Sequence, residues 1–223
     1  MRAGSGPKPI VIALVAVVVA VIAYWGFRTY QKRAVDATVV ASIQDASQRL
    51  HSALTLAAGP YKAVTLKAAE QMATDADEVD HRLQALRHAG PASDMTLVDA
   101  ADGYLLTVRE VLKRIADSHK RRLMLAESTQ ALREHMRADN HTGAWVTQAV
   151  RGKERMDDDF RGFRTNTEAV DTLLATFPES QKKVARYVSA GAFIDDKLLA
   201  DVRRRATEQL KRVTAEHEGF NRP

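Results

Sequence analysis

His119 and Arg122 are the residues whose positions most strongly suggest a binding or switching role. The apolar residues before them recur in steps of three and four, at Val98, Ala101, Leu105, Val108, Leu112 and Ile115. Continuing that spacing places His119 and then Arg122 on the same helical face. A buried imidazole or guanidinium group must be paired, so the two side chains predict a ligand contact or a buried polar layer that fixes register or responds to pH.

A stutter in the apolar spacing is the alternative explanation for these two residues. It would rotate the apolar seam and leave both polar side chains at its edge. The seam would then resume with a shifted phase, through Leu123, Ala126, Leu132 and Met136.

A group of carboxylates further along the chain also invites a chemical interpretation. Glu154, Asp157 and Asp158 share one helical face, with Asp159 adjacent. Paired carboxylates act as acids, bases or cation ligands only in a cleft that shifts their pKa values. Basic residues surround the group at Arg151, Lys153, Arg155 and Arg161. This pattern favours ordinary charge pairing along a helix.

Metal, cofactor and enzyme motifs receive little support. Glu78 and His81 have the Glu-x-x-His spacing of di-iron bundles, but those proteins carry two such motifs, and this chain has one. His135, Asp139 and His141 could meet at a helix end, where a cap and a solvated loop explain them equally well. The chain contains no glycine-rich phosphate loop, zinc-protease motif or nucleophile elbow. We predict no enzymatic activity, no cofactor, and no catalytic or metal-ligating residue.

The element that positions everything else is the uncharged segment Ile10–Phe27, with the sequence IVIALVAVVVAVIAYWGF. As a helix it would span about 27 Å, close to the hydrocarbon thickness of about 30 Å in a bilayer. Tyr24, Trp25 and Tyr30 cluster near its end and are predicted membrane-interface anchors. The segment therefore predicts a single transmembrane helix.

A cleavable signal peptide is the competing interpretation of this segment. Residues 1–9 would form its basic region, and Val21-Ile22-Ala23 a tolerable cleavage site. The apolar run continues past Ala23 without a polar region, which favours an uncleaved signal-anchor. The flanks carry equal positive charge, so the positive-inside rule gives no orientation. A short cytoplasmic tail favours the inner (cytoplasmic) membrane with a periplasmic C-terminal domain.

The rest of the chain is predicted to be all-α. Breaks at Gly59-Pro60, Gly90-Pro91, Asn140–Gly143 and Pro178 divide it into helical segments at 28–58 (continuous with the anchor), 60–89, 93–139, 143–176 and 178–217. Ser93 is the expected cap of the third segment. Thr176 and Glu179 match a capping box for the fifth. Either the end of the third segment projects beyond the bundle, or the segment breaks near Gly103, because glycine weakens a helix.

Apolar seams indicate how these helices pack. The other regular seams run through Val39, Ile43, Ala46, Leu50, Ala53 and Ala57; through Ala68, Met72, Ala76, Val79, Leu83 and Leu86; and through Phe163, Thr167, Val170, Leu174 and Phe177. Such spacing with short connections predicts an elongated, antiparallel up-and-down bundle with coiled-coil-like packing. The fifth segment is less regular and could be partly splayed. The predicted divisions are a tail at 1–9, the anchor at 10–27, the bundle at 28–217 and a tail at 218–223.

Composition limits the possible functions. The chain has no cysteine, which excludes disulfides and thiolate zinc sites. Its net charge of +5 is spread along the sequence, which does not favour nucleic-acid binding. We expect a single-pass membrane protein whose helical bundle is a non-enzymatic scaffold or protein–protein interaction module of a bacterial envelope. A protein partner or self-association is plausible. The alternative is a ligand-sensing four-helix ectodomain of chemoreceptor-like architecture, although a second transmembrane helix is lacking.

Overall fold

The computed structural model describes residues 9–59, 64–88, 94–138 and 142–220, with side chains described from Val17 onward. The helices are α1 (Pro9–Ala58), α2 (Leu66–Arg87), α3 (Met95–Arg137), α4 (Gly143–Val184) and α5 (Asp196–Phe220). A 3-10 turn, Ala190–Ala192, precedes α5. No β-strand occurs in these ranges. The prediction of an all-α protein is therefore confirmed.

Side chains cap the starts of the inner helices. Thr65 and Thr142 each accept a hydrogen bond from a backbone amide in the first turn of α2 and α4. At the start of α3, Asp94 accepts a hydrogen bond from the amide of Thr96 at 2.8 Å. Each bond satisfies an amide that has no partner within the helix. Asp94 therefore has the capping role predicted for Ser93, which lies outside the described residues.

The predicted helix boundary at Pro178 is wrong, because α4 continues through Pro178 to Val184. Proline costs about 3 kcal/mol in a helix interior. Phe177 and Val184 lie on either side of it and are both 0 % exposed. Burying a large apolar side chain contributes about 1.5–3 kcal/mol. Packing of one continuous helix therefore offsets the local penalty of the proline.

The predicted capping box at Thr176 and Glu179 is consequently wrong as well. The Thr176 hydroxyl donates to the backbone carbonyl of Leu173 at 3.2 Å, within the helix. Glu179 accepts a hydrogen bond from Lys182 at 2.7 Å, on the exposed side of α4. Neither side chain caps a helix start.

The actual break between α4 and α5 is organised by Gln181. This buried side chain donates to the carbonyl of Ile194 at 3.1 Å and accepts from the amide of Ile194 at 2.7 Å. The next residue, Asp195, accepts a hydrogen bond from the amide of Lys197 at 3.1 Å. The connection thus folds back along α4 before α5 begins.

Side-chain pairs show that neighbouring helices run in opposite directions. The pairs are Arg49–Asp75 and Arg82–Asp45 between α1 and α2, Arg87–Asp102 and Arg109–Asp80 between α2 and α3, Ser118–Thr167 and Thr107–Ser180 between α3 and α4, and Arg203–Asp171 and His217–Asp157 between α4 and α5. In each pair of helices, the residue nearer the end of the first helix contacts the residue nearer the start of the second. The arrangement is an up-and-down helical bundle.

Apolar side chains form two separate clusters along this bundle. The larger one, the proximal core, draws on all five helices and includes Ile43, Leu50, Leu83, Leu105, Leu112, Leu174 and Phe177. The smaller one, the distal core, contains Leu125, Leu132, Met156, Phe160, Phe163 and Val213. The distal core involves only α3, α4 and α5, because α1 and α2 do not extend that far.

The length of α3 explains this division. The helix is continuous through Gly103. Ala57, near the end of α1, lines the same cavity as His119 of α3. Beyond that level α4 and α5 cover α3. The helix therefore neither breaks near Gly103 nor projects beyond the bundle. Beyond His119 the buried face of α3 runs through Leu125, Ser128 and Leu132. Of the residues predicted to resume the seam, Leu132 is buried, whereas Ala126 and Met136 are exposed.

The first part of α1 lies outside the bundle. Every residue from Val17 to Gln31 is exposed, and the first buried residue is Val39. The helix nevertheless runs unbroken between them. Over the described residues, no helix combines the length and apolar character needed to span a membrane. Part of the predicted anchor, residues 10–16, falls outside the described side chains.

Candidate functional site

His119 lies at the junction between the two cores. Its neighbours around a cavity of about 30 Å³ include Ala57, Thr167, Val202 and Gln209. The residues that line this cavity carry no charged side chain. Burial lowers the pKa of His119 from 6.5 to about 4. The imidazole is therefore neutral at physiological pH, in a space large enough for one water molecule.

Two polar contacts join α3 to α4 at this level. The hydroxyl groups of Ser118 and Thr167 lie 2.7 Å apart and are both buried. One helical turn earlier in α3, Arg114 donates to the side-chain carbonyl of Asn166 at 3.0 Å. Because a buried polar group is costly unless it is hydrogen-bonded, these pairs favour a single register between the two helices.

Arg122 lies farther along α3 and faces a different cavity from His119. Burial lowers its pKa to about 10, the positive charge of Arg212 acts in the same direction, and Glu216 opposes both. The side chain is half-buried. The two residues that the sequence analysis paired therefore lie in two distinct environments, and their role in ligand binding stays a prediction.

Asp159 is a buried carboxylate of α4 that pairs with the exposed Arg121 of α3. It is 2 % exposed, and its Oδ1 atom lies 3.3 Å from Nη1 of Arg121. Its second oxygen, Oδ2, has no hydrogen-bond partner within the described part of the chain. The stem of Arg121 crosses α4 at Gly162, where an added Cβ would lie 2.9 Å from Nε. Glycine at this position therefore leaves room for the arginine to reach the carboxylate.

The other carboxylates of this group do not converge with Asp159. Asp157 is hydrogen-bonded to Lys153 at 2.9 Å and to His217 at 2.8 Å. Asp158 pairs with Arg161 one turn away on α4. Burial opposes ionisation of Asp157, but its hydrogen bonds with Lys153 and His217 outweigh burial and lower its pKa. The cluster is thus a set of separate ion pairs, some within α4 and some between helices.

His217 and Phe220 of α5 complete the distal core. The His217 ring stacks on Phe160, with 4.0 Å between centroids and 6° between planes. The guanidinium carbon of Arg133 lies 6.0 Å from the centroid of the Phe220 ring. Sequence reasoning did not identify these residues, because it treated the fifth segment as loose and ended it at 217. The sequence feature that could have identified them is the spacing of Val213, His217 and Phe220, which continues in steps of four and three.

These side chains enclose a cleft of about 180 Å³ between α3, α4 and α5. Leu125, Met156 and Val213 form its apolar floor. Arg122, Arg133, Glu216 and Phe220 lie around it. The cleft therefore combines an apolar floor with charged walls.

The side chains of Glu78 and His81, the two motif residues of α2, lie outside both cores. Val79 is 0 % exposed and occupies the buried seam, whereas Glu78 faces Arg82 at 3.5 Å on the surface. His81 is exposed. Among the residues with described positions, no three histidine or acidic side chains are arranged to hold a metal ion.

The hairpin between α3 and α4 is closed by His135 and Trp145. The imidazole Nε2 of His135 donates to the carbonyl of Trp145 at 2.9 Å, and the indole N–H donates to the carbonyl of His135 at 3.1 Å. The rings stack with 5.1 Å between centroids. Asp139 and His141, considered together with His135 in the sequence, lie outside the described residues.

The predicted interface aromatics lie on the protruding part of α1. Tyr24, Trp25 and Tyr30 are 59 %, 69 % and 72 % exposed. They span about 9 Å along the helix axis. Arg28 lies 6.0 Å from the centre of the Tyr24 ring. Their role at a membrane surface stays a prediction.

No protein-family model matches this chain, and no curated protein or solved structure is significantly similar to it. Its function is therefore inferred from the geometry of the helices and clefts.

Proposed function

We propose that this protein is a single-pass, membrane-anchored helical bundle that acts without catalysis as a scaffold or protein-interaction module of a bacterial envelope. The observation that supports the proposal is the unbroken helix α1. One end of α1 carries exposed apolar side chains, and the other contributes Ile43 and Leu50 to the proximal core. One helix would therefore belong to both the membrane and the bundle.

The exposed apolar surface of α1 is large. Its large hydrophobic residues are Val17, Val18, Val19, Val21, Ile22, Tyr24, Trp25, Phe27 and Tyr30, each at least 47 % exposed. Covering such a set contributes on the order of 10 kcal/mol, at about 1–3 kcal/mol per side chain. Consecutive residues such as Val17, Val18 and Val19 point to different sides of a helix. Lipid surrounds a helix on all sides, whereas one partner helix covers a single stripe, so this distribution favours lipid.

The distance between the apolar segment and the bundle supports close attachment to the membrane. From Phe27 to the first buried residue, Val39, a helix rises about 18 Å. This stretch carries Arg28, Lys32 and Arg33. Basic side chains at this position are attracted to anionic headgroups, at about 1 kcal/mol each. The direction of the anchor would therefore set the direction of the bundle.

The far end of the bundle offers a surface for a protein partner. Met136, Val146 and Val150 are each about half exposed near the α3–α4 hairpin. Along α3, the distance from Leu97 to Arg137 is about 60 Å. We therefore propose that the bundle presents this tip to a partner well away from the membrane.

The second candidate is a ligand-sensing bundle of chemoreceptor-like architecture. The cleft of about 180 Å³ in the distal core is the observation that favours it. A bound signal would need a partner chain to cross the membrane, since α1 supplies one anchor. We therefore rank display of the bundle above sensing.

Membrane insertion of the full chain tests the anchor directly. We expect the wild-type protein to float with liposomes and to resist extraction at alkaline pH. Introducing Val18→Arg and Ile22→Arg together should abolish both behaviours, because each central arginine costs about 2.5–3.5 kcal/mol. The matched control is Leu66→Arg with Leu106→Arg, since both leucines are exposed on the bundle. A wild-type chain that remains in the aqueous fraction would refute the anchor.

Orientation and partner contact need separate measurements. A C-terminal fusion to periplasm-specific and cytoplasm-specific reporters should be active in the periplasm; a cytoplasmic result would overturn the localisation and leave the anchor intact. A photo-crosslinker at Val146 should form a discrete adduct in native membranes, and one at exposed Leu66 should not. Equal labelling at both positions, or none at Val146, would count against the tip as the contact surface.

A further inference from the structure

A second cleft lies beside the proximal core, between α1 and the connection that precedes α5. This proximal cleft measures about 520 Å³, within the range of about 300–1,000 Å³ that is typical of small-molecule sites. Benzene, with its six carbon atoms, fits a cavity of about 150 Å³. By the same ratio the proximal cleft accommodates about 20 non-hydrogen atoms, close to the size of a disaccharide.

Helix α1 supplies one wall of the proximal cleft. Gln44, Gln48 and His51 line it and recur in steps of four and three, so they share one face of the helix. Together they extend over about 10 Å along the helix axis. Within the described part of the chain, none of these three side chains forms a hydrogen bond or an ion pair. Their amide and imidazole groups are therefore available to a ligand.

The opposite wall is the connection between α4 and α5. The exposed Ser189 and the half-buried Phe193 line it. Ile194 also lines the cleft and is 3 % exposed. Gln181 holds this segment in place through its two hydrogen bonds to the backbone of Ile194. The wall is therefore preformed, which reduces the entropy lost when a ligand binds.

The lining of the proximal cleft is polar without being charged. Among the described residues that line it, none is acidic, and none is lysine or arginine. An ion bound there would lose part of its hydration without meeting an opposite charge. A ligand hydroxyl group both donates and accepts hydrogen bonds, as do a glutamine amide, a serine hydroxyl and a neutral imidazole. The walls therefore fit an uncharged ligand that is rich in hydroxyl groups.

We propose that the proximal cleft binds an uncharged disaccharide. The hydroxyl groups of the two sugar rings form hydrogen bonds with Gln44, Gln48 and His51. The C–H face of one ring packs on Phe193, because an aromatic ring offers a flat apolar surface. The site goes beyond a scaffolding role and does not depend on the membrane anchor.

The test uses the full chain in a polyoxyethylene detergent, because this detergent carries no sugar. The probes are maltose, cellobiose and N,N′-diacetylchitobiose, and isothermal titration should show saturable binding of at least one of them. The chitosan dimer and digalacturonate are matched in size but charged, and each should bind at least about tenfold more weakly than the best neutral probe. Absence of saturable binding by all three neutral probes at millimolar concentration would overturn the proposal. Equal binding of a charged dimer would also overturn it.

Cysteine labelling locates the binding site, because the chain has no cysteine of its own. Ser189→Cys should bind the best neutral probe as the wild type does, and it should lose binding once a bulky maleimide is attached to the folded protein. Gln148→Cys, labelled in the same way, should keep its binding, since Gln148 is exposed on α4 and does not line the cleft. Unchanged binding by labelled Ser189→Cys would refute the site.

Two substitutions test the proposed contacts. Gln48→Leu keeps the approximate volume of the side chain and should weaken binding about tenfold, because its hydrogen bonds to the sugar are lost. Gln148→Leu is the matched control and should bind as the wild type does. Phe193→Leu keeps an apolar side chain against the proximal core but removes the flat ring, so it should also weaken binding. Wild-type affinity in both Gln48→Leu and Phe193→Leu would overturn the proposed contacts.

Discussion

Acidification should destabilise the bundle through His119. The imidazole lies among Ile115, Thr167 and Val202, and no carboxylate lines this cavity to stabilise a positive charge. Burial lowers its pKa to about 4 in the folded protein, against 6.5 for an ordinary histidine. Between these values the unfolded chain binds more protons than the folded one. Stability is therefore fully present above pH 6.5 and is lost as pH falls toward 4.

The size of this loss follows from the difference in pKa. A difference of one pKa unit corresponds to about 1.4 kcal/mol, so the full effect below pH 4 is about 3 kcal/mol. Lowering the pH from about 7.5 to about 5 should cost about 2 kcal/mol through this residue alone. Because His119 keeps partial solvent exposure, these figures are upper values.

Urea unfolding in nonionic detergent at a series of pH values measures this effect. His119→Gln removes the titrating group. The free energy of unfolding of this variant should therefore fall less than that of the wild type when the pH is lowered from about 7.5 to about 5. The control is His51→Gln, since His51 is exposed on α1 and outside both cores. Ion pairs lost in acid contribute equally to all three proteins and cancel in the comparison. The argument fails if His119→Gln and the wild type lose the same stability over this range.

Four further substitutions test the geometry of the bundle by chemical denaturation. Gly103→Ala has nothing within 4 Å of its new methyl and should stabilise the protein by about 1 kcal/mol. Gly162→Ala should be less stable than Gly103→Ala by about 1–3 kcal/mol, because its methyl group displaces the arginine that pairs with buried Asp159. Equal effects of the two would contradict the ion-pair argument. Gln181→Ala should cost about 2–4 kcal/mol by leaving a buried amide and carbonyl without partners. A loss of stability smaller than that of the same substitution at an exposed glutamine would refute this role. Pro178→Ala should stabilise α4 by about 1–2 kcal/mol. A variant less stable than the wild type would show that Pro178 contributes to the stability of the fold.

The helices and their buried faces were largely predictable from local spacing. The seam through Ile43, Ala46 and Leu50 is fully buried, as its steps of three and four indicated. A burial pattern of this kind is set by the helix period, which is a property of neighbouring residues. The ends of α1 at Ala58 and of α2 at Arg87 were predictable for a similar reason, because a glycine–proline pair follows each of them closely in the sequence.

The boundary near Pro178 was not predictable from local signals. Thr176 and Glu179 have the right chemistry and spacing for a capping box. Their signal was overridden by the burial of Phe177 and Val184 on the same face of one helix. That burial depends on the neighbouring helices, and no window of the sequence around the proline contains them.

The distal cleft lay beyond sequence reasoning for a related reason. Arg122 and Arg133 belong to α3, whereas Glu216 and Phe220 belong to α5, and the chain between them includes all of α4. Their meeting depends on α5 running back along α4, which the contact of His217 with Asp157 reveals. The irregular spacing of α5 concealed this path, because few of its residues are buried apart from Leu199, Val202 and Val213.

The division into two cores has a consequence for how the proposed functions could be connected. Helix α1 contributes Ile43, Leu50 and Leu54 to the proximal core and no residue to the distal core. A change in the distal cleft can reach α1 through α3, α4 or α5. Each of them passes the junction around His119, where the buried hydroxyl pair of Ser118 and Thr167 lies among apolar side chains. Since a buried hydrogen bond depends on exact geometry more than apolar packing does, this junction is where movement of the distal helices would be passed to α1 or stopped.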